Sequence, residues 1–89
     1  MHAVLTSVTV KDVPTAESYL REQVVPNAKQ APGFVAGYWV RDEAEGRGVV
    51  VFESEDAARG ASERIRETIG GNPGVTLNSV TVGEVVASA

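Results

Sequence analysis

The sequence predicts an α+β fold in the order β-α-β-β-α-β, with four antiparallel strands carrying two helices on one face. Three observations predict it. Four runs rich in β-branched residues alternate apolar and polar positions, two intervening segments repeat their apolar residues at close to 3.6 residues, and Gly or Pro punctuates the junctions. The chain has 89 residues, with Leu, Ile, Val and Phe making up about a quarter of them. That apolar content lies above the level of disordered chains, and the length suits one small domain spanning residues 1–89.

His2 to Val10 sets Val4, Val8 and Val10 at even positions against Ala3, Leu5, Ser7 and Thr9 at odd ones, the alternation of a first strand. Asp12 to Pro14 supplies a helix start. Val13, Ala16, Leu20, Val24 and Ala31 then form an inward stripe. Pro26 lacks a backbone donor and crowds the preceding turn, so this helix is expected to kink or end there, before Ala31-Pro32-Gly33 stops it. Phe34 to Arg41 and Gly48 to Glu53 read as an antiparallel pair, with the polar Asp42–Arg47 segment as their hairpin loop. Ser54 suits an N-cap, and Glu55 and Asp56 place negative charge in the first turn of a second helix, where the macrodipole favours it. Ala58, Ala61, Ile65 and Ile69 give that helix its inward stripe, and Gly70-Gly71-Asn72-Pro73-Gly74 ends it. Val75 to Val86 is the last strand, with a bulge or bend at Asn78 and Ser79 where its pattern shifts.

This order is the split β-α-β arrangement of the ferredoxin-like architecture. Its two helices cover one face of the sheet, yet both parities of the strands carry apolar side chains. Phe34, Tyr38 and Val40 oppose Val35 and Trp39, while Val49 and Val51 oppose Val50 and Phe52. The second face therefore needs a cover. Pairing two copies through it would remove roughly 700 Å² from water, on the order of 17 kcal/mol gross, against an association cost of about 4 to 15 kcal/mol. A homodimer is the expectation.

Composition narrows the function. A formal charge of −4 argues against nucleic acid and anionic membrane as partners. The chain holds no cysteine and one histidine, which rules out disulfides, thiolate chemistry and the usual metal-ligand clusters. Met1 leads straight into strand-like sequence with no charged and apolar leader pattern, so a cytoplasmic location is expected. Asp42, Glu43 and Glu45 fit a solvated turn better than a metal site, and Glu53, Glu55 and Asp56 fit a strand end and a helix start. His2 fits frayed surface at the terminus. Neither a Ser/His/Asp ordering nor a phosphate-cradling glycine loop is present.

Seven residues remain as ligand-binding candidates: Gln23, Asn27, Tyr38, Trp39, Arg41, Phe52 and Ser62. Gln23 and Asn27 fall within the inward stripe at i, i+4 spacing, where an unpaired amide would cost about 1 to 3 kcal/mol. They are expected either to bond the backbone freed by Pro26 or to face a wet or ligand-filled cavity between helix and sheet. Tyr38 and Trp39 are adjacent in a strand and must point to opposite faces, either as packing residues or lining an apolar pocket. Ser62 is placed to complete a cavity from the second helix or to be a tolerated inward serine. Arg64 and Arg66 flank that helix's stripe as arginines that lay their stems on apolar surface. Arg41 ends the strand of Tyr38 and Trp39, where it could hold a ligand anion or pair with Asp42 or Glu43.

The stretch from Ala31-Pro32-Gly33-Phe34 to Val51-Phe52-Glu53-Ser54-Glu55-Asp56-Ala57-Ala58 resembles the antibiotic biosynthesis monooxygenase-like domains of the dimeric α/β barrel superfamily. Pro32-Gly33 matches the step before their second strand, and Phe52 to Ala57 matches the junction that opens their second helix. The resemblance implies a dimeric α+β barrel with a cavity in each protomer between sheet and helices. It also implies cofactor-free oxygenation of aromatic substrates, as some of those domains perform, or haem degradation, as others do. The chain departs from the haem degraders. Phe52 stands where many members of the family have Trp, the region of Ala61 replaces the helix histidine those members often carry, and Ser7 and Thr9 stand where the haem degraders place an asparagine. No cofactor is therefore expected, and haem ligation is excluded on this reading. Oxygenation without a cofactor requires a dry pocket and polar groups, for which Asn27, Gln23, Tyr38 and Trp39 are the groups to test, and Phe52 the aromatic at the matched position. The leading expectation is a homodimer that binds a small aromatic or apolar molecule, with cofactor-independent monooxygenation as the implied activity and no assigned catalytic residue. A non-catalytic dimerisation or ligand-sensing module is the alternative, with an acid/base isomerase or lyase third.

Overall fold

A computed structural model describes the whole chain, residues 1–89. The elements are β1 (His2–Val10), α1 (Val13–Tyr19), a π-helical turn (Leu20–Val24), α2 (Val25–Gln30), β2 (Phe34–Asp42), β3 (Glu45–Phe52), α3 (Glu55–Gly70) and β4 (Val75–Glu84). The strands form one antiparallel sheet in the order β2-β3-β1-β4, with both helical layers on one face, so the fold is ferredoxin-like as the sequence predicts. No helix is long and apolar enough to cross a membrane.

Local chemistry sets the element ends. Asp12 caps α1 by accepting from the Thr15 N–H at 3.2 Å, and Ser54 caps α3 by accepting from the Ala57 N–H at 3.1 Å. In the first turn of α3, Glu55 accepts two hydrogen bonds from Arg59, at 2.9 and 2.6 Å, and the guanidinium holds its carboxyl below the ordinary carboxylate range. Between β1 and β4 the register slips so that Ser7 faces Ser79 and Val8 faces Leu77, which leaves Asn78 as the extra residue. That is the bulge expected there, and Asn78 Nδ2 uses it to donate to Thr9 Oγ1 at 3.0 Å.

Pro26 is accommodated instead of ending the helix. The helix runs on through residues 13–30, because the turn before the proline widens to π geometry and the Val25 N–H donates to the Leu20 carbonyl five residues back. Widening removes the clash of the proline ring with the carbonyl of Glu22 that α geometry would impose. It also corrects the inward stripe. Ala16, Val24 and Ala28 are buried with Leu20 packed beside them, whereas Gln23 and Asn27, expected inward, are exposed. Steps of four residues overturn an α-helix by about 40° each, and a π turn takes up that drift, so the stripe keeps a spacing of four.

The hairpin is also tighter than expected. Asp42 pairs with Glu45, so only Glu43 and Ala44 form the turn, and Glu43 takes the positive φ of 53° that a tight reversal needs. Gly46, expected in the loop, belongs to β3 together with Gly48, and both face inward where β1 side chains come too close for a Cβ. The last strand stops at Glu84, and Val86, expected within it, is 89% exposed. His2, expected frayed, pairs in β1 and keeps a buried Nδ1 without a partner.

One core lies between helices and sheet, built on Val4, Val50, Phe52 and Val80 from the strands and Ala58, Ala61, Ile65 and Ile69 from α3. Phe34 meets Phe52 edge to face with ring centres 6.3 Å apart. The opposite face of the sheet has no cover, and Leu5, Tyr38, Val40 and Val49 lie exposed on it.

Candidate functional site

Three inward-facing glycines on β2 and β3 open space between the sheet and the first helix. Gly37 and Gly48 make room for the Trp39 indole, because a Cβ on Gly37 would lie 2.7 Å from Trp39 Cη2 and one on Gly48 would lie 3.0 Å from Trp39 Cδ1. A Cβ on Gly48 would also overlap the Thr6 hydroxyl, and one on Gly46 would lie 2.7 Å from Val8 Cγ2. What remains above these residues is a cavity of about 240 Å³, closed on the helix side by Ala16, Leu20 and Val24. The π turn is part of its wall. Glu17, Arg21 and Arg41 stand at the exposed end, and buried Thr6, Gly48 and Ile69 at the inner one.

The polar groups of the cavity differ in how they are occupied. Asn72 is buried, but its Nδ2 donates to the Ala16 carbonyl at 3.3 Å and its Oδ1 accepts from the Gly74 N–H at 2.9 Å. It pins the loop after α3 to α1. Arg41 donates from Nε to Glu17 at 3.0 Å and from Nη1 to the Glu43 carbonyl at 3.0 Å, so its ion pair reaches across the cavity mouth to α1 and not to Asp42 or the Glu43 carboxylate. Trp39 is the exception. Its Nε1 is buried and has no acceptor. A buried N–H left unpaired costs about 1 to 3 kcal/mol, which a ligand oxygen would recover only where the wall around the indole shifts to admit it.

Of the seven candidates, Trp39 and Arg41 meet in this cavity. The others lie elsewhere. Tyr38 is 66% exposed on the open face of the sheet, which settles the alternation of the pair: the indole faces the helices and the phenol faces away. Phe52 is fully buried in the core. Ser62 is half-buried and donates to the Arg59 carbonyl of its own helix at 2.7 Å. Gln23 lines neither this cavity nor a second cleft of about 370 Å³ between α2 and α3, which Asn27 lines and Gln30, Arg64, Glu67 and Thr68 rim. Arg66 reaches from α3 to the Val80 carbonyl at 3.3 Å. Sequence reasoning missed Thr6, Arg21, Gly46, Gly48 and Asn72. Thr6 carried a signal, as the polar residue between Val4 and Val8 at the inward even positions of the first strand.

No three His, Cys, Asp or Glu side chains gather in a way that could hold a metal ion. No His, Cys, Tyr, Met or Lys lines the 240 Å³ cavity, so its residues do not fit a haem that needs an axial ligand.

Solved structures share the fold over nearly the whole chain. A variant of MhuD crystallised with two manganese protoporphyrin IX molecules bound per active site matches with a TM-score of 0.67 and 21% identity, covering 100% of this chain and 98% of that one. A monooxygenase from the gene ActVA-Orf6 of Streptomyces coelicolor, in complex with nanaomycin D, matches with a TM-score of 0.61 and 17% identity, covering 98% and 92%. A de novo designed protein with a ferredoxin fold matches with a TM-score of 0.63 and 25% identity, covering 99% and 88%. The resemblance to antibiotic biosynthesis monooxygenase-like domains holds at the level of the fold. No protein-family profile and no curated protein sequence matches the chain.

Proposed function

We propose that the chain is an antibiotic biosynthesis monooxygenase-like protein that works as a cytoplasmic homodimer. It binds a small aromatic or otherwise apolar molecule between its first helix and its sheet, with cofactor-independent oxygenation as its activity. The observation that carries this reading is the buried, unpartnered Trp39 N–H at the wall of a mostly apolar cavity. In such chemistry an electron-rich substrate reduces dioxygen itself. A ring methylene becomes a carbonyl, one oxygen atom stays on carbon, and the other leaves as water with the two methylene hydrogens. The protein's part is to exclude water, hold the ring and donate a hydrogen bond to the substrate oxygen on which negative charge develops.

One feature favours the ligand-sensing alternative. Glu17 is the only carboxylate lining the cavity, and it is committed to Arg41 at the mouth. No carboxylate base therefore stands at the inner end, and deprotonation has to be easy for the substrate on its own. The test is oxygen uptake with hydroxylated aromatics and quinols in the presence of a chelator, run beside thermal melts. Uptake that falls about tenfold to hundredfold in Trp39→Phe supports oxygenation. A raised melting temperature without uptake supports sensing, and neither effect with any compound overturns the proposal.

A further inference from the structure

We propose that the ligand of this cavity is an arylalkyl carboxylate of one or two rings, with its carboxylate held at the mouth by Arg21. The inference rests on the reading of the cavity as a ligand site and adds the size and charge of the ligand. Size follows from volume. An engineered apolar cavity of about 150 Å³ takes up benzene, so about 240 Å³ accommodates a ring with a substituent or a fused pair of rings, and not a porphyrin.

Charge follows from how the ion pairs are made. Arg41, Arg47 and Arg59 each have a carboxylate partner, Glu17, Glu45 and Glu55 respectively. Arg21 has none. Its natural helical partner is Glu17, four residues back, but that carboxylate is drawn across the mouth to Arg41 at 3.0 Å. An exposed, unpaired guanidinium is thus left at the rim of an apolar cavity, on a chain whose formal charge is −4. An alkyl carboxylate on a ring seated inside would meet it, and guanidinium matches carboxylate geometry with paired donors.

Trp39 is the only tryptophan and lines the cavity, so its emission reports occupancy directly. The probes are hydrocinnamate, hydrocinnamyl alcohol and phenylpropylamine, which share a ring and chain and differ in charge. Hydrocinnamate should bind about fivefold tighter than the alcohol, as expected for an exposed charge pair, with the amine weakest. The preference should vanish near 1 M salt and in Arg21→Gln, and persist in Arg64→Gln, an exposed arginine of α3 outside this cavity. Equal binding of the three probes, or a preference that survives Arg21→Gln, overturns the inference and leaves the cavity reading standing. Failure of all three to perturb Trp39 emission or the melting temperature overturns both.

Discussion

At Gly48 a single hydrogen atom keeps the candidate site open. In sequence the position is only the first residue of a strand after a polar turn, and in the structure it sits in β3 beneath Thr6 and Trp39. Adding one methyl group there forces the Thr6 hydroxyl and the indole edge to move together, and both belong to the cavity wall. Gly48→Ala should therefore destabilise the protein by about 1 to 3 kcal/mol, the usual range for overpacking, and shift the emission of its lone tryptophan. Gly60→Ala is the control. That glycine lies on α3 with nothing within 4 Å of an added Cβ, so the change should stabilise the helix slightly. If Gly48→Ala melts like the wild type with unchanged emission, the close approach of Thr6 and Trp39 over β3 is wrong.

Between residue and fold, the π turn does the most to position the site. Leu20 and Glu17 lie before Pro26, so the angle at which they face the sheet depends on the widened turn between them. Pro26→Ala restores the missing N–H and removes the reason for the π geometry. The helix should then revert to α, turning the segment before it by about one residue, on the order of 100°. The Glu17–Arg41 pair should break, and Trp39 emission should shift while helix content holds, a combination that amide exchange and circular dichroism would read together. Unchanged emission and an intact ion pair would show that tertiary packing, and not the proline, sets the turn. The sequence contained half of this. Its proline announced a disturbance, and the capping residues, the α3 stripe and the bulge at Asn78 were all readable from local chemistry. Ala16, Leu20, Val24 and Ala28 stand at steps of four, a spacing that a straight α-helix would smear around its surface. Reading 3.6 into that stripe put Gln23 and Asn27 inside and passed over Ala28. Gly46 misled for a different reason. A glycine that frees the backbone and one that makes room for a neighbour are the same letter, and only the register of β1 against β3 distinguishes them.

For the molecule as a whole, the decisive feature is a sheet with a helical layer on one side only. Its other side exposes Leu5, Tyr38, Val40 and Val49, from three adjacent strands, at 39 to 66% of their area. Apolar groups gathered this way mark an association surface more often than isolated exposed residues do. Leu5 and Tyr38 make the test clean, since both face away from the helices and neither lines the cavity that Trp39 faces. Placing two like charges there with Tyr38→Lys and Leu5→Lys should leave the fold intact, because both side chains are exposed in the protomer. It should also set four lysines against one another across a two-fold interface. Sedimentation at micromolar concentration should report a dimer for the wild type and a monomer for this variant. Because a single chain already forms the cavity, the monomeric variant should still quench Trp39 with hydrocinnamate. A wild type that sediments as a monomer removes the homodimer, and a monomeric variant that has lost the quench shows that the partner shapes the cavity.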